Sequence, residues 1–349
     1  MPESRIRPRD SMKSTWQTAS RDEWTFYHHL LDRLNVYPID PNLEVPVHSK
    51  DEKVPYVPQW SLHRFVLIYS AIPLLIHQVF SSYTGYNLGP IAAFNLYFFS
   101  FNAIVIYEAQ ILRRLGHKFG FLDGDKHERD GIPDVGIQKV VQSLYKTTGS
   151  RLVMSIYFSY NANRLPADMN WYWLPLEIGL YGIVLDFWFY WYHRAMHDVG
   201  FLWKFHRTHH LTKHPNPLLS AYADHEQEFF DMVGVPFLTY MTLKAFGLPM
   251  GFYEWWVCHE YIAFTEVLGH SGLRVHGTAP STLGWLLGLL KADIVIEDHD
   301  LHHRKGYRKS YNYGKQTRLW DRIFRTCHER IESAKDNIDY ENTAPMPLW

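Results

Sequence analysis

The chain has 349 residues, in which 35 lysines and arginines nearly balance 36 aspartates and glutamates. The net charge of −1 provides no positive field for nucleic acid, which excludes a nucleic-acid-binding function. The only cysteines, Cys258 and Cys327, exclude a disulfide scaffold and a thiolate metal cluster, and they suit a reducing compartment.

The N-terminal segment, residues 1–60, is polar and rich in proline between positions 38 and 58. No apolar run follows Met1, so no secretory signal peptide is expected. Low apolar content predicts a cytosolic arm that is partly disordered.

Two long apolar runs follow, at 65–80 and 91–112. The stretch between them contains no lysine or arginine, whereas Arg113 and Arg114 follow the second run directly. Apolar segments of this length, joined by an uncharged turn and flanked by basic residues, predict a membrane hairpin open to the cytosol. Two buried helices of a soluble domain are the alternative.

The next segment, 135–160, is interrupted by Lys139, Lys146 and Arg151. These charges argue against a membrane crossing and favour an amphipathic helix on the surface. Residues 61–170 are therefore expected to comprise the hairpin and an amphipathic linker.

Three further apolar runs lie at 171–192, 229–246 and 252–268. A Gly-Leu-Pro-Met-Gly turn joins the last two. The last run contains three glutamates and a histidine, so one of its faces is expected to point toward a site. The predicted fold class is an all-α integral membrane bundle with four to five apolar spans and a cytosolic, histidine-rich layer for two metals. Its site domain should cover 171–330, followed by a tail at 331–349.

Three short histidine motifs stand beside the ends of apolar runs. Each places imidazoles at helical spacings of three or four residues, which share one helix face. They are HxxxH followed by two copies of HxxHH, and their histidines are His193, His197, His206, His209, His210, His299, His302 and His303.

Eight imidazoles exceed the four ligands of a structural zinc and predict a site for two metals. Such a nitrogen-rich site suits iron, copper or zinc. Hydrolytic motifs such as HExxH are absent from the sequence, so redox chemistry is favoured. Asp186, seven residues before His193, is expected to accept the second ring N–H of that histidine.

The order HRAMH, HRTHH and EDHDLHH, followed by NYG and LWDRIF, resembles the sterol desaturase and fatty acid hydroxylase superfamily over residues 171–326. The resemblance implies a multi-pass enzyme of the endoplasmic reticulum membrane, with its histidine motifs on the cytosolic side. It also implies two non-haem iron ions, O₂, and electrons from NAD(P)H through cytochrome b5 and its reductase.

Site residues follow from the same resemblance. The eight motif histidines are implied as metal ligands, and His270 resembles an additional ligand position of the family. His225 and Glu266 match less directly. The motif around His225 has one residue more than the family motif that it resembles, and Glu266 stands where some fatty acyl hydroxylases have histidine. Asp298 and Asp300 are expected either to support the ligands by hydrogen bonds or to be solvated at a helix end.

The predicted function is an O₂-dependent oxidoreductase that hydroxylates, desaturates or oxidatively demethylates a lipid, with a sterol or related polycyclic lipid favoured. A fatty acyl or sphingolipid hydroxylase and a tailoring oxygenase of polyketide or terpenoid biosynthesis are the alternatives within the superfamily. A metal transporter is the non-enzymatic alternative. A basic docking surface for an acidic cytochrome is expected at Lys204, Arg207, Arg304, Lys305 and Arg308, unless these residues only flank the membrane.

Overall fold

The structure is a computed structural model that describes residues 10–124, 126 and 130–349. Within these ranges the chain is almost entirely helical, which confirms the predicted all-α class. The regular strands of this part of the chain are β1 (Val54–Pro55) and β2 (Ile338–Asp339), which pair in parallel. They join a segment near the N-terminus to a segment near the C-terminus.

The first four helices come from the N-terminal half, and two of them are long and apolar. Pro90 occupies the first turn of the third helix, and Gly85 ends the second helix with a left-handed φ of 73°. These residues fix the boundaries of a helical hairpin. The four helices are α1 (Phe26–Leu34), α2 (Gln59–Thr84), α3 (Pro90–Phe119) and α4 (Ile137–Ser159).

The second half surrounds one central helix, α9, which packs against α2, α3, α4 and α5. Between α7 and α8 the helix widens to a π-helical turn at Phe230–Gly234, a distortion that is common at functional sites. The helices are α5 (Leu174–Asp198), α6 (Gly200–His206), α7 (His225–Phe229), α8 (Val235–Ala245), α9 (Phe252–Gly269), α10 (Gly284–Leu289), α11 (Ile296–Arg304) and α12 (Leu319–Ile323).

Two helices of the described chain, α2 and α3, are long and apolar enough to cross a membrane. Only 17% of the apolar window of α3 is buried, whereas a core helix of a soluble protein is mostly buried. The expected count of four to five spans is therefore not reproduced by length and composition. The run at 252–268 forms α9, which is enclosed on nearly all sides and places Glu266 beside His270, as expected of a helix with one face toward a site.

The described part of the N-terminal arm packs on the bundle. Trp16 and Leu31 pack with Ile137 and Val141 in a small hydrophobic core. Residues 1–9 of the arm lie outside the described ranges. The tail also packs on the bundle, because the Met346 amide donates to the Ser61 hydroxyl on α2.

The segment at 135–160 forms α4, a helix with one face packed in the bundle and another exposed at Tyr145, Val153 and Tyr157. It packs against α1, α3 and α9. Arg151, which argued for a surface position, is only 5% exposed. Of the three charges that suggested solvent, Arg151 therefore lies inside the protein, whereas Lys146 is exposed.

Candidate metal centre

The structure brings together nine histidines from distant parts of the sequence. In each of two groups, the nitrogen atoms that could bind a metal lie within 4.8 Å of one another, and every ring is buried. The first group is His193, His197, His206, His210 and His302, and the second group is His209, His270, His299 and His303. These are the nine residues that the sequence predicts as ligands with most support.

Four elements carry these rings. The last turns of α5 provide His193 and His197, and α6 with the following 3-10 turn provides the HRTHH motif. His270 directly follows α9, and α11 carries the third motif. The centre therefore lies where the ends of α5, α6, α9 and α11 converge.

Each HxxHH motif divides its histidines between the two groups, which corrects the expectation that all three share one face. On α11, His299 and His303 belong to the second group and His302 to the first. Successive residues of an α-helix point about 100° apart, so neighbouring histidines can serve different metals. His209 and His210 are divided in the same way.

Main-chain carbonyls fix the orientation of several rings. Nδ1 of His193 donates to the carbonyl of Tyr313 at 2.8 Å, and Nδ1 of His302 donates to that of Tyr311 at 2.6 Å. A carbonyl oxygen only accepts, so the proton of these rings is on Nδ1 and the lone pair is on Nε2. Outer hydrogen bonds of this kind are usual for metal-binding histidine.

The inward Nε2 atoms lie close together. The distance is 2.9 Å between His193 and His206, 3.0 Å between His210 and His302, and 3.0 Å between His270 and His299. Nitrogens bound to one ion at about 2.1 Å are about 3.0–3.4 Å apart, depending on the coordination angle.

Two ring nitrogens without a hydrogen-bond partner in the described part of the chain also indicate that the site fits metal ions. The Nε2 atoms of His197 and His303 are buried and have no hydrogen-bond partner among the described residues. A buried polar atom without a partner costs free energy, and a metal ion would satisfy both atoms. The residues present therefore fit two metal ions, one in each group.

The environment also favours the neutral ring that a metal requires. Burial lowers the pKa of His197 to about 4 and that of His209 to about 3. Loss of water disfavours the charged imidazolium, so both rings are unprotonated near neutral pH.

Asp186 does not contact the His193 ring, contrary to the prediction. Its buried carboxylate accepts the backbone N–H groups of Lys315, Gln316 and Thr317 and the Thr317 hydroxyl. The partner of His193 is instead the carbonyl of Tyr313, which precedes this loop. Asp186 thus holds the loop that follows this carbonyl, because its two oxygens accept four hydrogen bonds from residues 315–317.

Asp298 and Asp300 support α11 through ion pairs and do not reach a histidine ring. Asp298 pairs with Arg330 at 2.7 Å and caps the helix through the Val295 amide. Asp300 pairs with Arg304 at 2.7 Å. Both carboxylates are buried, so the alternative of helix-end solvation is also wrong. The Arg304 side chain is 6% exposed and is not available for a docking surface.

The two less direct candidates fall outside both groups. The His225 side chain is 60% exposed and lies 3.4 Å from Glu228. A Glu266 oxygen lies 3.6 Å from Nδ1 of His270, on the opposite side of the ring from the inward Nε2. The other Glu266 oxygen pairs with Lys315 at 3.2 Å.

Sequence reasoning missed Lys315 and Asp231. The Lys315 ammonium is buried and pairs with both Asp231 and Glu266. The only signal was position, because Lys315 directly follows the Asn-Tyr-Gly motif. The result is a buried carboxylate–ammonium–carboxylate network beside the second group.

Two cavities adjoin the centre. A small one, with an empty volume of about 350 Å³, is lined by His270, His299 and Lys315. A larger one, of about 1080 Å³, lies between α1, α3, α4 and α9 and includes Glu266 in its wall. Most of the larger wall is apolar.

The fold and the site define a class of protein: a helical bundle in which two buried histidine groups each fit a metal ion, beside a largely apolar cavity. The family model for fatty acid hydroxylases matches residues 178–326, which include all nine histidines. The fatty acid hydroxylase vlmA of Lecanicillium is 45% identical over 85% of both chains. The chain therefore belongs to the fatty acid hydroxylase family, within the sterol desaturase and fatty acid hydroxylase superfamily.

More distant relatives carry related names. Alkylglycerol monooxygenase of Xenopus tropicalis is 26% identical over 62% of this chain, which spans 41% of that protein. Methylsterol monooxygenase 2-2 of Arabidopsis thaliana is 31% identical over 50% of this chain and 61% of its own length. No solved structure matches the chain. The predicted enzyme class, an O₂-dependent oxidoreductase, is confirmed by these relatives.

Proposed function

We propose that this chain is a membrane-bound, non-haem di-iron enzyme that uses O₂ to hydroxylate or desaturate an unactivated C–H bond of a lipid. The observation that carries the proposal is the pair of buried histidine groups, which offers nine imidazole nitrogens. Iron and zinc both bind imidazole ligands, but only iron changes oxidation state. Two bound iron ions would supply the activation of O₂.

The chain's own residues perform the remaining tasks. Carbonyls of Tyr311 and Tyr313 orient His302 and His193, and burial keeps the rings neutral and excludes water. The apolar cavity along α9 would admit the body of a lipid and hold one C–H bond near the second group. We propose that electrons from NAD(P)H arrive through cytochrome b5 and its reductase.

A fatty acyl chain is the favoured substrate of this proposal. The relative with 45% identity is named a fatty acid hydroxylase. The preference for a sterol depended on the sequence around His225 and His270, and His225 is largely exposed and outside both groups. A sterol is the second candidate, supported by the likeness to a methylsterol monooxygenase.

The proposed location is the endoplasmic reticulum membrane, with the histidine groups on the cytosolic side. The exposed apolar faces of α2 and α3 support insertion as a hairpin. Arg113, Arg114 and Lys118 near the end of α3 support a cytosolic position for that end.

The experiment combines metal analysis with lipid analysis. The full chain should bind two iron ions, and lipid extracts of cells that express it should gain an oxidised lipid that needs O₂. His206→Ala should lose iron and the product, while His225→Ala, with an exposed ring outside both groups, should retain both. Full turnover by His206→Ala would disprove the proposal. Unchanged acyl lipids with changed sterols would select the second candidate substrate.

A further inference from the structure

The larger cavity contains a buried cation that the proposed chemistry does not use. This cation is Arg151 on α4, of which only 5% is exposed. It lines the cavity together with residues of α1, α3 and α9. Buried arginines are almost always paired with carboxylates, because an unpaired charge is costly to remove from water. Arg151 departs from that rule.

The hydrogen bonds of this guanidinium are few. Nε donates to the Met232 carbonyl at 3.4 Å, and one Nη donates to the Met232 sulfur at 2.9 Å. No carboxylate oxygen of the described residues lies within 4.0 Å of it, and a guanidinium has five N–H donors. Most of its donor capacity is therefore unused by the protein.

Three buried acids interact electrostatically with Arg151, but none forms an ion pair with it. Asp231 and Glu266 line the same cavity and each pairs with Lys315, whereas Glu260 has no ion pair among the described residues. Asp231 and Met232 lie in the π-helical turn, which sets the backbone beside Arg151. Arg151 therefore lines the cavity without a carboxylate of the described residues in contact with its guanidinium.

The rest of the cavity wall is apolar, including Leu34, Ile106, Val141 and Ile262. Such a wall suits a hydrocarbon body, and a donor-only guanidinium suits an oxygen acceptor at one end of it. Glu266, which contacts the His270 ring, lies on the polar part of the same wall. The polar end of the cavity is therefore the end beside the second histidine group.

We infer that Arg151 binds the oxygen of the substrate's polar group, so the carbon that is oxidised lies near that group and not at the far end of the lipid. Carboxylate, carbonyl and hydroxyl oxygens share this acceptor chemistry. The inference rests on the proposed function for the oxidation, while the binding of an oxygen-bearing lipid can be measured without turnover.

The test uses three photoreactive octadecyl probes that carry the same diazirine close to one end. That end bears a carboxylate, a hydroxyl or only a methyl group. The full, metal-loaded chain in detergent is labelled at increasing probe concentration, and labelled peptides are located by mass spectrometry. The two oxygen-bearing probes should label the end of α9 at concentrations about 10- to 100-fold below the methyl probe, as expected for a hydrogen bond to a charged group.

Two variants make the result specific. Arg151→Gln should remove the advantage of the oxygen-bearing probes and leave labelling by the methyl probe unchanged, and Arg151→Lys should restore part of it. Ile106→Phe, on the apolar wall, should weaken all three probes alike. The carboxylate and hydroxyl probes distinguish an acid from an alcohol head group.

Equal labelling by all three probes of the wild-type chain would overturn the inference, and so would equal loss of all three in Arg151→Gln. If Arg151→Gln fails to fold, the wild-type preference and Arg151→Lys still decide. Loss of iron or of turnover would disprove the proposed function without altering the probe preference, so the two failures are distinguishable.

Discussion

The two histidine groups differ in what surrounds them. Main-chain carbonyls accept from ring Nδ1 atoms in both groups: those of Tyr311, Tyr313 and Arg308 in the first, and those of Glu266 and Thr212 in the second. The second group has one nitrogen ligand fewer, and it lies beside the Glu266–Lys315 pair and a cavity lined by His270 and His299.

This difference indicates a division of labour. Five rings leave fewer free positions on a metal than four. Four rings beside a cavity leave more positions for O₂ and place a lipid within reach. Under the proposed function, substrate oxidation therefore takes place at the second group, and the first group completes the pair.

The largest effect is expected from two neighbouring residues of α11. His302→Ala should remove the metal of the first group, and His303→Ala that of the second, because adjacent helical residues face different groups. Each should lower iron content from two to about one and reduce activity beyond the roughly 10- to 100-fold typical of a lost outer hydrogen bond. Iron analysis with Mössbauer spectroscopy would check this.

Different residual signals from the two variants would sharpen the comparison. Identical signals, or loss of both ions from each variant, would show that the two groups bind metal as one unit. That result would contradict the division of labour between the groups.

A smaller effect is expected from Lys315→Met. This change leaves the buried carboxylates of Asp231 and Glu266 without their cation, which should cost about 3–5 kcal/mol of stability. The thermal midpoint in detergent should fall, and the signal of the second group should change while that of the first remains. Adding Asp231→Asn should recover part of the loss. A stability equal to wild type would contradict the ion-pair assignment.

The smallest of the three effects is expected from Asp186→Asn. The variant keeps one acceptor oxygen but loses the charge that holds the 315–317 loop, at a cost of about 1–3 kcal/mol. The loop follows Tyr313 and carries Lys315, so the signals of both groups should broaden. A change confined to one group would show that the loop does not couple them.

Much of the site was readable because ligand spacing is local. The nine histidines and their helical spacing identify the residues, since short motifs place rings on a helix whatever the remaining fold. The less direct candidate His225 lies outside both groups, and no local pattern distinguishes a ring on an exposed helix start from one that faces inward.

The roles of the charged residues were not readable in the same way. Arg151 indicates a surface position by sequence, yet α4 carries it into the bundle because a helix face is buried by its neighbours and not by its own composition. Asp186 and Lys315 are 129 positions apart and meet only through tertiary packing. The number of spans is not confirmed for a related reason, since aromatic and apolar runs also form enclosed helices such as α9.

The sequence by itself therefore determined the helical class, the family and the identity of the nine histidines, because these follow from periodicity and short motifs. Only the tertiary structure decided how the histidines divide into five and four, which acids support backbone or helix ends, and where a cavity meets the centre. Those features depend on the relative positions of α4, α5, α9 and α11, and long-range packing has no local signature in the chain.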